Sequence, residues 1–241
     1  MSLKDLFNNW ARETDRRYKD QQWLLSKWDT LDGVDWSDEK IGLMLNHIRR
    51  HLRLERTHRF LDVGCGGGWI LDRLGPCANM SFGCDLSLAM LTNASDRYPV
   101  FNADACQLPL QSDVLDRVLC YFVFINFMDL DMVSAAIREI VRVLQPGGRA
   151  LLGQLPDQTQ SQVYDVEKRS YVNYCQDHFQ IFRNTRDVHA IPIQLFDRRF
   201  FSALLDHLNC GFQFVPAFNP FYRPGQPAEI NWRFDIVVEK K

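Results

Sequence analysis

Apolar residues change their rhythm along this chain near residue 58. Before it they recur at helical spacing. Leu6 and Trp10 share one face, and Ile41, Leu45, Ile48 and Leu52 mark a second helix that Ser37 or Asp38 can cap. Between these stretches lie Tyr18, Trp23, Trp28 and Trp36, with Gly33 and several Asp that predict turns. After residue 58, short apolar runs alternate with amphipathic segments. The pattern predicts strands over 59–63, 80–84, 99–102, 117–124 and 149–155, with helices at 69–74, 88–97 and 132–144 between them. The run 117–124 is apolar almost throughout, as in a strand buried on both faces of a parallel sheet. Alternating strands and helices imply right-handed crossovers and a doubly wound sheet.

The segment 156–194 breaks this rhythm. It is polar, aromatic and helical in spacing around 162–179, and it reads as an insertion over the carboxyl edge of the sheet. A helix over 197–208 and strands over 212–218 and 231–239 then complete the chain. In the last strand Trp232, Phe234, Ile236 and Val238 alternate with polar neighbours.

Composition narrows the setting. A chain of 241 residues suits one large domain, or a domain with an added cap, and 46% hydrophobic residues supply its core. A net charge of −2 gives no global field toward nucleic acid or anionic lipid, so neither is expected as a partner. The seven cysteines (65, 77, 84, 106, 120, 175, 210) are odd in number and form no C-x-x-C pair, which predicts reduced thiols. No apolar leader and no membrane-length apolar run stand in the sequence, and a cytoplasmic location is expected.

The chemistry concentrates in Arg59-Phe60-Leu61-Asp62-Val63-Gly64-Cys65-Gly66-Gly67-Gly68-Trp69. A short strand ends in an acid, and glycines follow that allow a tight turn and let a ligand lie against bare main chain. Such turns serve many nucleotide sites. Asp85 ends the second strand 21 residues after Gly64, where a carboxylate can accept bonds from both hydroxyls of a ribose. NAD-binding sheets share that spacing. Further signals follow in order: Asn102-Ala103-Asp104-Ala105 after the third strand, Gln107-Leu108-Pro109-Leu110, Leu115-Asp116-Arg117-Val118-Leu119, and Leu144-Gln145-Pro146-Gly147-Gly148-Arg149.

Together these motifs resemble the class I, Rossmann-like S-adenosylmethionine (SAM) dependent methyltransferases, in their small-molecule branch. The resemblance covers about 59–155 closely and 197–239 by pattern. It implies an α/β fold: a doubly wound seven-stranded sheet, mostly parallel with the last strand antiparallel. The expected division is an N-terminal helical cap (1–57), a SAM-binding core (58–155), a lid or substrate insertion (156–196) and a C-terminal completion of the sheet (197–241).

The resemblance also implies roles. Gly64, Cys65, Gly66 and Gly68 pass close to the methionine part of SAM, and Asp62 stabilises this loop or bonds the cofactor amine. Asp85 holds the ribose. Leu86 packs on adenine or in the core. Asp104 meets the adenine amine and the main chain of Ala105 a ring nitrogen, while Tyr121 lies beside the sulfonium, chiefly through its carbonyl. S-adenosylhomocysteine is the expected product.

The acceptor is less legible. His178 is the candidate general base, since Tyr171, Tyr174, His178 and Phe182 share a helical face; the same spacing reads equally as a packing stripe. Tyr18, Trp28, Asn126 and Tyr171 are candidate substrate contacts, with Asn126 where small-molecule members often carry His. No Asn-Pro-Pro-Tyr or Asp-Pro-Pro-Tyr motif occurs, and no metal site is indicated by spacing. The expected acceptor is a polar small molecule, a sugar derivative or secondary metabolite, methylated on oxygen or nitrogen. A protein or RNA acceptor and a non-catalytic SAM-binding role are the alternatives. Oligomeric state stays open.

Overall fold

A computed structural model describes Asn8 and residues 38–92, 94, 96–127, 129–162, 194–220, 222 and 224–241. Among these, helix α1 spans Asp38–Leu52 and leads into strand β1 (Arg59–Val63). Helix α2 (Trp69–Leu74), strand β2 (Met80–Asp85), helix α3 (Leu88–Leu91), strand β3 (Val100–Asn102) and strand β4 (Leu115–Tyr121) follow. Helix α4 (Leu130–Val143), strand β5 (Leu144–Pro156), helix α5 (Arg198–His207) and strands β6 (Cys210–Phe218) and β7 (Glu229–Lys240) complete it. The sheet has seven strands in the order β3-β2-β1-β4-β5-β7-β6. β7 runs antiparallel to both β5 and β6, and the pairings among β1 to β5 are parallel. The order reverses at β1 and β4. Such a switch point opens a crevice beyond the carboxyl ends of the strands.

Strand alternation sorts the core into two layers. Leu61, Val63, Val118, Cys120, Ala150 and Leu152 face α4 and α5, where Ile137, Ile140, Phe201 and Leu205 are buried. Phe60, Leu119, Tyr121, Leu151 and Val237 face the other way, against Met44, Ile48 and Leu52 of α1 and Leu71 and Leu74 of α2. With both faces covered, the central strands are apolar at nearly every position. At their amino ends Asp116 ties three strands together. It accepts bonds from Arg59 N (2.8 Å), Arg59 Nε (3.0 Å) and Gln145 Nε2 (2.6 Å).

Several boundaries differ from those the sequence predicts, each for a local reason. β4 stops at Tyr121, because Phe122 adopts φ +61° and a 3-10 turn over Phe124–Asn126 follows. The helix expected over 88–97 is α-helical over Leu88–Leu91, and at its end the Thr92 hydroxyl donates to Ala89 O at 2.8 Å. α4 begins two residues early because Asp129 caps it, accepting from Met132 N at 2.8 Å. Pro146-Gly147-Gly148 does not separate helix from strand. It lies inside β5 at a bulge, where pairing jumps from Leu115–Leu144 to Arg117–Arg149. In α1 the buried stripe is Met44, His47, Ile48 and Leu52, while Ile41 and Leu45 are half-buried.

Candidate functional site

The glycine turn after β1 is built as its sequence requires. Gly64, Gly66 and Gly68 all have positive φ (+75°, +53° and +78°), a region that side chains with a Cβ rarely enter. At Gly64 there is also no room, since a Cβ would stand 2.3 Å from Val123 Cγ2. The turn thus packs against the chain leaving β4. It is fastened to β2 by Gly64 N and Cys65 N, which donate to Cys84 O at 2.7 and 3.0 Å.

Asp85 links the turn to the end of β2. Its Oδ2 accepts from Gly66 N at 2.9 Å and its Oδ1 from Ser87 N at 2.8 Å. Burial raises the Asp85 carboxyl above the usual range, against the lowering effect of these two N–H groups. Each oxygen keeps a further lone pair for a ligand hydroxyl. Asp62 is the second acid here and is almost wholly buried. Burial, reinforced by the Asp85 carboxylate, pushes its carboxyl up to about 8. Asp62 Oδ2 has no hydrogen-bond partner. A buried acceptor without a donor is costly, and a ligand donor would satisfy it.

Leu86 follows the end of β2, and Asp104 and Ala105 follow the end of β3. Asn102 Nδ2 donates to Asp85 O and to Leu86 O, both at 2.9 Å, which fixes the half-buried Leu86 beside Asp85. Asp104 is exposed, and its Oδ1 accepts from Cys106 N at 2.8 Å; Ala105 is half-buried beside it. Cys65 is half-buried, and its thiol is pushed up by burial and the neighbouring acids, so it is no thiolate. The six described cysteines are all free.

Tyr121 sits at the end of β4, and its ring turns into the core. A Cβ on Gly153 would meet that ring at 2.0 Å, so glycine there makes its room. The Tyr121 hydroxyl accepts from Gln154 Nε2 at 3.1 Å. Asp235 is fully buried on β7 and accepts from Gln154 N (2.7 Å) and from His47 Nε2 (2.8 Å). Gln154 itself has φ +65°, and its buried Oε1 has no hydrogen-bond partner. Asn126 is half-buried, with Nδ2 donating to Phe122 O at 3.3 Å.

Sequence reasoning missed Gln154 and Asp235. The available signal was a pair of charged residues, Arg233 and Asp235, on the second face of a strand whose neighbours are apolar. It also missed Asn8, whose Oδ1 accepts from Ser87 Oγ (2.8 Å) and Ala89 N (3.3 Å) just past the end of β2. Tyr18, Trp28, Tyr171 and His178 lie outside the described residues.

A sheet of this order, with a glycine turn after β1 and an acid ending β2, defines the Rossmann-like class I methyltransferase fold. Residues 61–152 match the methyltransferase domain family, and the fold around them is that of the class I SAM-dependent methyltransferases. It is 32% identical to a demethylmenaquinone methyltransferase of Corynebacterium kroppenstedtii over 42% of this chain and 43% of that one. It is also 32% identical to the tRNA (carboxymethyluridine(34)-5-O)-methyltransferase ALKBH8 of Macaca fascicularis, over 46% of this chain and 16% of that one. The chain spans about half or less of the length of the curated relatives it matches. Among solved structures, magnesium protoporphyrin IX methyltransferase from Synechocystis, with bound S-adenosylhomocysteine, superposes with a TM-score of 0.63 at 16% identity. That match covers 99% of this chain and 98% of the other. Among the described residues no helix is long and apolar enough to cross a membrane.

Proposed function

We propose that this protein transfers a methyl group from SAM to an oxygen or nitrogen of a polar small molecule, a sugar derivative or secondary metabolite, by in-line displacement. The observation that carries the cofactor half is the pairing of a buried acid, Asp62, and a half-buried one, Asp85, with a positive-φ glycine turn. Asp62 Oδ2 is a buried acceptor that still needs a donor, and an ammonium group supplies one. Asp85, held by Gly66 and Ser87, presents two oxygens to vicinal hydroxyls. SAM, when bound, supplies an already activated methyl on a positive sulfur. Gly64, Cys65, Gly66 and Gly68 would line its amino-acid part, and Leu86, Asp104, Ala105 and Tyr121 its nucleoside side.

The protein's own task is then orientation and exclusion of water, since placing two reactants in line removes much of the barrier. Asn126, next to the strained end of β4, is suited to hold a polar acceptor. The 156–196 segment would serve as lid over a core of 58–155 and 197–241, with Tyr18, Trp28 and Tyr171 as acceptor contacts. His178 would be the base for a hydroxyl acceptor.

The near-neutral charge supports a small acceptor. The likeness to a protein named as a tRNA methyltransferase keeps an RNA acceptor as the second reading. Incubation with methyl-tritiated SAM and size-fractionated cell extract separates them. Label in the small-molecule fraction supports the proposal. Label confined to RNA or protein replaces it, and binding of SAM without transfer to any fraction favours a non-catalytic role.

A further inference from the structure

A second cluster lies between α1 and β7, among groups that the cofactor site does not use. His47 and His51 stand four residues apart on α1 and so share a face, and Glu229 approaches them from β7. One ligating atom of each lies within 4.8 Å of the others. His47 Nε2 is 2.8 Å from the fully buried Asp235 carboxylate, and its Nδ1 is 3.3 Å from Glu229 Oε1. The Nδ1 edge of the ring and the Glu229 carboxylate thus converge on one point.

Arg50 supplies charge at the rim. Its Nη2 is 2.6 Å from Glu229 Oε1 and 3.2 Å from His51 Nε2, so the His51 lone pair points into the same space. The Arg50 side chain is 65% exposed and can swing away. What it would leave is two imidazole nitrogens and one carboxylate oxygen. In a tetrahedral site with bonds of about 2.0–2.1 Å, ligand atoms stand about 3.4 Å apart, close to the His47–Glu229 separation. The Asp235–His47 bond is also the outer-shell carboxylate contact that orients a metal-binding histidine.

We propose that His47, His51 and Glu229 form a binding site for a first-row divalent cation, Zn²⁺ by its ligand chemistry, which displaces Arg50 and pins α1 to β7. Imidazole with one carboxylate suits this class of ion, and a three-ligand set leaves a position for water. The site stands apart from the glycine turn and does not depend on the methyl-transfer reading.

The test is a Zn²⁺ titration of the full-length, chelator-stripped protein, by calorimetry against a competing chelator. The expected result is one Zn²⁺ per chain and a higher melting temperature with metal. His51→Ala and Glu229→Gln should each weaken binding by at least the roughly 10–100-fold that loss of an outer-shell partner causes, and Arg50→Met should tighten it. No binding by the wild type, or equal binding by His51→Ala and Glu229→Gln, would overturn the site, the latter by assigning the metal to thiols elsewhere. Should a variant fail to fold, Co²⁺ added to the wild type decides the matter. A ligand-field spectrum free of thiolate charge transfer supports the His/Glu set, and a thiolate band refutes it.

Discussion

Asp85 Oδ2 accepts the main-chain N–H of Gly66 at 2.9 Å, so the acid that ends β2 holds the glycine turn that follows β1. Two signals separated in sequence are therefore one device in space. The bond ties the turn to β2 and leaves on each carboxylate oxygen a lone pair that the proposed ribose contact would use. Asp62 stands behind it, buried and lacking a donor at Oδ2.

Asp62 makes stability fall as pH rises. Its carboxyl is pushed from 3.8 up to about 8 by burial and the Asp85 carboxylate, so the native state keeps a proton that the unfolded chain has released. That contribution is complete below about pH 4 and is lost as pH rises through about 8. Denaturant titrations of the cofactor-free protein at about pH 5 and about pH 8 should show the loss in wild type and a smaller one in Asp62→Asn. Identical pH dependence in the two proteins would rule out Asp62 as the source.

Gly64 admits no side chain. A Cβ there would stand 2.3 Å from Val123 Cγ2, on a backbone with φ +75°. Gly64→Ala should cost at least about 2 kcal/mol from left-handed strain and overpacking together. Urea unfolding measures it, and a cost within about 0.5 kcal/mol, the usual surface value, would speak against the packed turn.

Glu139 explains why the Leu108-Pro109-Leu110 run matters although it lies away from the turn. Its carboxylate accepts from Leu108 N at 2.8 Å and from Arg142 Nε at 2.7 Å, while Arg142 donates to Leu108 O and Leu110 O at 3.0 and 2.8 Å. The Arg142 hydrogen bond holds the Glu139 carboxyl below the usual range. Its contribution is therefore present above the ordinary glutamate pKa and lost as pH falls through the lower native one. Glu139→Ala should cost about 1–3 kcal/mol at neutral pH, with the difference from wild type shrinking in acid. A pH-independent difference would mean that packing, not charge, is what Glu139 supplies.

The strand–helix order and the cofactor motifs were legible because each rests on local physics. Alternation reports burial, and the glycines report the backbone that only they adopt freely. The sheet turned out seven-stranded with β7 antiparallel, as the resemblance implied. The end of β4 was overextended, since nothing in Phe122-Val123-Phe124 announces the positive φ at Phe122. The bulge in β5 was hidden because Pro-Gly-Gly is also a common end to a helix. The network of His47, Tyr121, Gln154 and Asp235 joins α1, β4, β5 and β7, and contacts of such long range leave no spacing to read. The pairing of His47 with His51 was visible on the helix, but Glu229 is distant in sequence and only the fold brings it near.

Calorimetric titration of SAM into wild type and Asp85→Ala bears most directly on the cofactor site. One site in the wild type, weakened by about 1–3 kcal/mol in the variant, is the predicted result, because paired hydroxyl donors lose a charged acceptor. Equal affinity in a folded Asp85→Ala protein, or no binding by the wild type, would contradict it.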